Sequence, residues 1–281
     1  VLRTRSAVRP VSRDERDEAL ALCARDVAAN VFVAARVIEG AIDSRYGTLL
    51  GHRRDGVLDS LCWASANVVP VATDTESTAA FAERIRKWRG RCASILGPKD
   101  LVTSLWAALE PVWSPARAIR TDQPLMGTTT PPSALGIPVD TRVRLARPDE
   151  VDLVLPAAAH MFTREIGYPP FTGSSRGYRA ALQALIERGH TYVVVEGGRV
   201  VFKADIGSVA LGCAQVQGVW LAPDLRGRGL AVPAMAAVVE LVMNDLAPWV
   251  TLYVNDFNAA ARATYHRIGM RDIGVFSTVL L

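Results

Sequence analysis

The segment Gln217-Gly-Val-Trp-Leu-Ala-Pro-Asp-Leu-Arg-Gly-Arg-Gly-Leu-Ala-Val232 gathers residue types able to hold an anion. A strand pattern ends at Leu221 and Pro223 stops it. Arg226-Gly227-Arg228-Gly229-Leu230-Ala231 then runs straight into a long apolar helix pattern. Glycines at a helix start let the backbone approach a bound group closely. The first amides of the helix have no internal acceptor and carry the positive end of its dipole. Two guanidinium groups complete the chemistry of a diphosphate cradle. A dinucleotide-binding fingerprint fits poorly, because no parallel crossover with an acidic ribose ligand follows about twenty residues on. A Walker phosphate loop is excluded, since no Gly-Lys-Ser/Thr follows the glycines. The bland reading is a flexible arginine-rich loop, and the strand-to-helix context argues against it.

Holding such a loop takes a sheet, and the second half of the chain has the periodicities of one. Arg142–Arg147 reads as a short strand, and Pro148, Asp149 and Glu150 open a helix with proline early and acids at the positive end. Tyr178–Glu187 reads as an amphipathic helix. Thr191–Glu196 and Arg199–Ile206 are β-branched runs joined by Gly197-Gly198, a two-residue hairpin signal. Cys213–Leu221 is a third strand, Leu230–Leu246 a long helix, Trp249–Val254 a strand, Asn258–Ile268 a helix and Val275–Leu281 a last strand. The first half runs in nearly the same order. Helices are expected at Arg16–Ala24, Phe32–Glu39, Thr78–Arg89 and Lys99–Glu110. Strands are expected at Gly47–Gly51 and Val57–Ala64, joined through Arg53-Arg54-Asp55-Gly56, and at Cys92–Leu96, with an extended stretch at Ala116–Met126. The polar, proline-bearing run Thr128–Pro138 separates the halves. The expected division is a domain over 1–130, a linker over 131–141 and a domain over 142–281.

Composition limits the alternatives. The 281 residues are 50% hydrophobic and 21% charged, enough for a sizeable core and too apolar for disorder. A net charge of +4 and a pI near 9.0 are too small an excess to argue for nucleic acid. Trp88 among the basic residues of Arg84–Arg91 invites that reading, but a solvated helix face is expected there. No apolar run reaches the ~18 residues of a membrane span, and Val1–Pro10 lacks the apolar core of a secretory signal. Cys23, Cys62, Cys92 and Cys213 form no CxxC pair, which fits reduced thiols in a cytoplasm. His160, His190 and His266 are scattered and are not expected to bind metal.

At these residues the sequence resembles the GNAT superfamily of acyl-CoA-dependent N-acyltransferases. Arg226, Gly229 and Ala231 fill its acyl-CoA loop pattern Arg/Gln-x-x-Gly-x-Gly/Ala, after the lead-in residues Val219, Leu221 and Pro223. Downstream, Asn258, Ala261, Tyr265 and Gly269 match a second family pattern, Asn-x-x-Ala-x-x-x-Tyr-x-x-x-Gly-Phe, with Met270 replacing the usual aromatic. The resemblance covers residues 142–281. The whole chain also resembles an actinobacterial tandem family with an uncharacterised GNAT-like front half. It implies an α/β (α+β) fold of two GNAT-like domains, each a mixed, mostly antiparallel sheet flanked by helices. The first half reads Asn67-Val-Val-Pro-Val-Ala-Thr-Asp-Thr-Glu-Ser77 where its cradle belongs, with acids in place of the arginine–glycine loop, so it is not expected to bind coenzyme A.

The resemblance implies acyl transfer from acetyl-CoA or another acyl-CoA to a primary amine, with no metal. The acceptor, a small molecule or a peptide, is left open, as is a homodimer, and neither a membrane nor nucleic acid is expected as a partner. A non-catalytic acyl-CoA sensor or partner-binding scaffold is the alternative. Cofactor contacts are expected from Val219, Trp220, Leu221, Arg226, Gly227, Arg228, Gly229, Leu230, Ala231 and Asn258. The pantetheine arm would pair along Val219–Leu221, where a backbone amide can donate to the thioester oxygen. Tyr265 is the expected general acid toward the sulfur. Its competing reading is a core residue, and that of Asn258 a helix N-cap. Asp205 and Glu165 are the candidate bases. Asp205 also reads as the partner of Lys203 on a solvated strand face, and Tyr253 stands where some relatives carry a glutamate. Trp220 reads as core and His266 as surface.

Overall fold

A computed structural model of the chain describes residues 7–40, 42 and 48–281. Gly47, the first residue of one expected strand, lies outside them, as do the first six residues of the basic N-terminal segment. The chain forms two compact units: Val1–Leu125, Tyr253–Phe257 and Asp272–Leu281 make the first, Met126–Leu252 and Asn258–Arg271 the second. The contacts thus draw a different division from the one expected at 131–141, because the chain returns to the first unit for its last strand.

The first unit contains β1 (Val8–Pro10), α1 (Arg16–Cys23), α2 (Val27–Ile38), β2 (Thr48–Arg54), β3 (Val57–Ala64), β4 (Asn67–Val71), α3 (Thr75–Ile85), β5 (Ser94–Pro98), α4 (Lys99–Leu109) and most of β6 (Ala118–Thr128). The second contains β7 (Arg144–Leu145), α5 (Val151–Ile166), α6 (Arg176–Glu187), β8 (Thr191–Glu196), β9 (Arg199–Ala210), β10 (Cys213–Leu221), α7 (Ala231–Asp245), nearly all of β11 (Trp249–Tyr253) and α8 (Ala259–Arg267). The final strand β12 (Arg271–Leu280) belongs to the first unit from Asp272 on.

In the first unit the strand order is β1-β2-β3-β4-β5-β12-β6. Only the β4–β5 pairing is parallel among those with assigned register. The β2–β3 turn has φ of 53° at Asp55 and 84° at Gly56, the doubly left-handed turn that suits the twist of a tight hairpin. Phe81 and Ile85 of α3, Leu105 and Leu109 of α4, and Ile95 and Val279 of neighbouring strands close the core. Helix α3 starts at Thr75, ahead of the expected Thr78, because Asp74 accepts from the Ser77 amide at 2.9 Å while the Ser77 hydroxyl accepts from the Asp74 amide at 2.9 Å. It ends at Ile85, so the basic run does not continue its face but passes through a turn into a short 3-10 helix at Arg89–Arg91, with the Arg84 and Arg91 guanidinium groups over the Trp88 ring.

In the second unit the order is β11-β10-β9-β8-β7, antiparallel except for β10–β11. Gly197 and Gly198, at φ 55° and 73°, make the β8–β9 hairpin, as the sequence suggested. Helices α5 and α6 bury Val154, Ala158, Leu182 and Ile186 against Val193 and Val200. The four cysteines are buried free thiols. Among the described residues, no helix is long and apolar enough to cross a membrane.

The strand expected over Arg142–Arg147 shrinks to Arg144–Leu145, and Glu150 is the reason. Its buried carboxylate accepts from Arg144 at 2.7 Å and from the Arg147 amide at 2.8 Å, turning the chain into α5. The Arg144 hydrogen bond, working against burial and aided by the Arg147 amide and charge, lowers the Glu150 pKa from 4.5 to about 2. A carboxylate with a depressed folded pKa stabilises fully above its unfolded value, and the contribution fades as pH falls from 4.5 toward 2. The partner arginines are 38% and 62% exposed, so solvent screens them. Glu150→Gln should therefore cost about 1–2 kcal/mol at pH 7. Urea unfolding at pH 7 and pH 3 checks this: the gap between variant and parent should narrow at the lower pH, and an equal gap at both would refute the assignment.

Candidate active site

Two features of the second unit define the site: the loop entering α7 and a break in the sheet at β10. After β10 the chain passes a short 3-10 turn, Pro223–Leu225, and Arg226 becomes extended, its Nε donating to the Leu221 carbonyl at 3.1 Å. Gly227 and Gly229 follow at φ 74° and 76°, and no atom lies within 4 Å of where a Cβ on either would sit. Both glycines are thus set by conformation and leave a bare, open backbone. Leu230 begins α7 with no side-chain cap. Among the described residues, none of the amides from Gly227 to Val232 donates to a backbone carbonyl. Pro233, in the first helical turn, removes an amide that would have lacked a partner anyway. Asp224 is the one acid in the loop, and its hydrogen bond with Arg199 holds its carboxyl below the usual range. That pairing offsets its charge and leaves the positive charges of Arg226 and Arg228 in excess.

The corresponding start of α3 in the first unit has the opposite chemistry. There Asp74 caps the helix with its own carboxylate, and Arg54 donates to it at 2.6 Å, holding it well below the normal carboxylate range. The end that could attract an anion already carries one.

At β10 the parallel ladder to β11 ends at Gln215↔Thr251, although β10 runs on to Leu221. On its other edge Gln217 faces Asp205 and Trp220 faces Lys203, so Gly218 and Val219 together oppose Ala204 alone. This is a β-bulge, with Gly218 at φ 59°. A glycine inside a strand pattern is the signal that could have found it.

Helix α5 passes close to this bulge. The Met161 methyl lies 3.2 Å from a Cβ built on Gly218. The half-buried Trp220 packs on the unit's core and donates its indole N–H to His160 Nδ1 at 2.8 Å, with the rings 5.8 Å apart and edge-on. Tyr178 of α6 donates to the Ala158 carbonyl at 3.0 Å, and burial, then the Asp205 charge, raise its pKa to about 12. Sequence reasoning missed Met161, His160 and Tyr178, because nothing in the α5 and α6 patterns says which strand they cover.

Tyr265 is 6% exposed on α8. Burial first, and then the negative charge of Glu165, push its phenol far above the usual tyrosine range. Two expected catalytic residues, Tyr265 and the exposed Glu165, therefore lie within electrostatic reach of one another. Asn258 caps α8, accepting from the Ala261 amide at 3.3 Å. Tyr253 packs its ring 5.1 Å from Phe276, and His266 is exposed. The solvated face expected for Lys203 and Asp205 is a correction: the two are 0% and 5% exposed. They form an ion pair, and the Thr191 hydroxyl donates to the second Asp205 oxygen at 2.9 Å.

Residues 142–271 match the family model of the acetyltransferase (GNAT) domain, and residues 47–154 match a domain of unknown function, DUF4081. A GCN5-related N-acetyltransferase from Sphaerobacter thermophilus is 17% identical at a TM-score of 0.61, covering 97% of this chain and 95% of that one. A tandem GNAT protein from the clavulanic acid biosynthesis pathway is 13% identical at a TM-score of 0.57, covering 97% and 98%. An acetyltransferase of the GNAT family from Colwellia psychrerythraea is 11% identical at a TM-score of 0.55, covering 98% and 99%. At such identities the structures speak for the shared tandem fold, and the family model speaks for the class. Residues 142–271 belong to the GNAT acetyltransferase family by that model, an N-acetyltransferase domain, and the chain as a whole shares the fold of tandem GNAT proteins.

Proposed function

We propose that the protein transfers an acyl group, acetyl by default, from an acyl-CoA to a primary amine by direct attack, using the second unit alone. The observation that carries this is the start of α7 without a side-chain cap, its amides reaching no backbone carbonyl among the described residues, and two arginines beside glycines that leave the backbone bare. The residues present fit a diphosphate on chemistry and on space. The amides of Gly227, Arg228, Gly229, Leu230 and Ala231 would hold it, with Arg226 and Arg228 supplying charge. The edge of β10 left free by β11, Val219 to Leu221, would take the pantetheine arm as a short strand, with Trp220 and Asn258 beside it.

The thioester supplies the acyl group. The Val219 amide donates to its oxygen as negative charge grows there. Glu165, exposed at the end of α5, takes the proton the amine must lose as its nitrogen bonds to the acyl carbon. Tyr265 gives its proton to the sulfur as the carbon–sulfur bond breaks. Because its raised pKa keeps it protonated through neutral pH, it serves as a donor and not as the base. Asp205, with both oxygens engaged, is assigned a different task below.

Calorimetric titration with acetyl-CoA, followed by thiol-release assays over amines, amino sugars and peptides, tests this reading. Micromolar binding with amine-dependent release is expected. Binding without release for any amine class would favour an acyl-CoA sensor, and absence of binding would remove the cradle assignment itself.

A further inference from the structure

We propose that the buried Lys203–Asp205 pair is a positioning device: it fixes the peptide plane between Gly218 and Val219 and so aims the Val219 amide. The proposal rests on the acyl-CoA reading above.

Lys203 Nζ reaches the Gly218 carbonyl at 3.4 Å while paired with Asp205, whose other oxygen is held by Thr191. The pair also abuts the bulge directly. A Cβ added to Gly218 would lie 2.9 Å from Asp205 Oδ2 and 3.3 Å from Lys203 Nζ, so it would push the pair aside, and the φ of 59° already favours glycine. In a planar trans peptide the carbonyl and the following N–H point in opposite directions. Drawing the Gly218 oxygen toward Lys203 therefore turns the Val219 N–H away from it. A bulge leaves its extra residue outside the regular ladder, so the strand pairing alone does not set this plane. Here a cation, paired with Asp205, which Thr191 holds in turn, sets it before any ligand arrives.

Stability gives a poor account of the pair. Attraction between two buried charges often does no more than offset the cost of removing them from water, and apolar residues of similar volume commonly serve as well. The backbone group it holds is the Gly218 carbonyl, in the peptide that carries the proposed oxyanion donor, and preorganised donors of that kind matter most where charge develops. On this view Asp205 acts through Lys203 and touches no substrate.

The test is the full-length double variant Lys203→Met with Asp205→Leu, which keeps volume and leaves no buried charge behind. The probe is acetyl-CoA labelled with carbon-13 at the thioester carbonyl. Isotope-edited infrared spectroscopy should show a lowered carbonyl stretch on the parent protein. On the double variant it should return to the solution frequency, with the calorimetric Kd changed less than two-fold. With an accepting amine, kcat should fall about 100-fold, the scale of losing one oxyanion donor, with little change in KM. Gly218→Ala is the second variant, since its methyl pushes into the same pair; the same loss of shift is expected if the double variant does not fold. A lowered stretch that persists in either folded variant overturns the clamp while leaving the cradle standing. Failure of the parent to bind acetyl-CoA removes both, and binding by the parent with no lowered stretch overturns this inference alone.

Discussion

Gly229→Glu should reduce acetyl-CoA affinity at least 100-fold while leaving the protein folded. The new carboxylate would stand among the amides and arginines proposed to hold the diphosphate, setting like charge against like charge. Loss of two decades in affinity corresponds to about 2.8 kcal/mol, within the range for charged contacts removed from bulk water. The fold should survive because the position is exposed and no atom lies within 4 Å of the new Cβ. The remaining cost is the φ of 76°, about 1 kcal/mol for a residue with a side chain. Gly229→Ala separates the two effects, since it carries the backbone strain without the charge and should keep most of the affinity. Calorimetric titration of both variants, with circular dichroism to confirm folding, makes the comparison. A Glu variant that binds like the Ala variant would show that no anion sits at this turn.

Tyr265→Phe should lower kcat about 100- to 1,000-fold, within the usual range for a lost general acid, and leave the acetyl-CoA Kd within two-fold. The hydroxyl is the only atom removed, and the ring stays to fill its buried place on α8. Burial and the Glu165 charge hold the phenol protonated well past neutral pH, so Tyr265 should contribute no titration to the rate between pH 6 and 9. Any pH dependence there must come from the acceptor amine or its base. Full turnover in the variant would return Tyr265 to the role of a core residue.

Much of both units could be read from the sequence because the signals are local. Cys213–Leu221 and Val57–Ala64 were read to the residue, and Gly197-Gly198 and Asp55-Gly56 mark hairpins whose dihedrals few other residues adopt. The loop proposed as the cradle carries the same kind of local signal: strand end, proline, arginines and glycines follow in order. What escaped was set at long range. Strand β4 was missed because Val68, Val69 and Val71 are buried without alternation and Pro70 interrupts the run. Strand β9 was cut short at Ile206, because the turn at Leu211-Gly212 places a branched apolar residue at φ 51°. Alternation put Lys203 and Asp205 on one face correctly, but periodicity does not say whether a face is covered. The burial of both residues, with the Met161 methyl of α5 close to Gly218 beside them, shows that this one is.

The last strand carries a consequence for how the protein is made. Val279 belongs to the core closed by Phe81, Ile85 and Leu105, and Phe276–Leu280 ladders with Ser94–Pro98. A nascent chain carries the sequence of α1 to α4 yet lacks the strand that lies between β5 and β6, and it must synthesise the second unit before that strand arrives. The first unit is therefore completed last, and a truncation just after Arg271 would be felt there although the cut lies after the second unit.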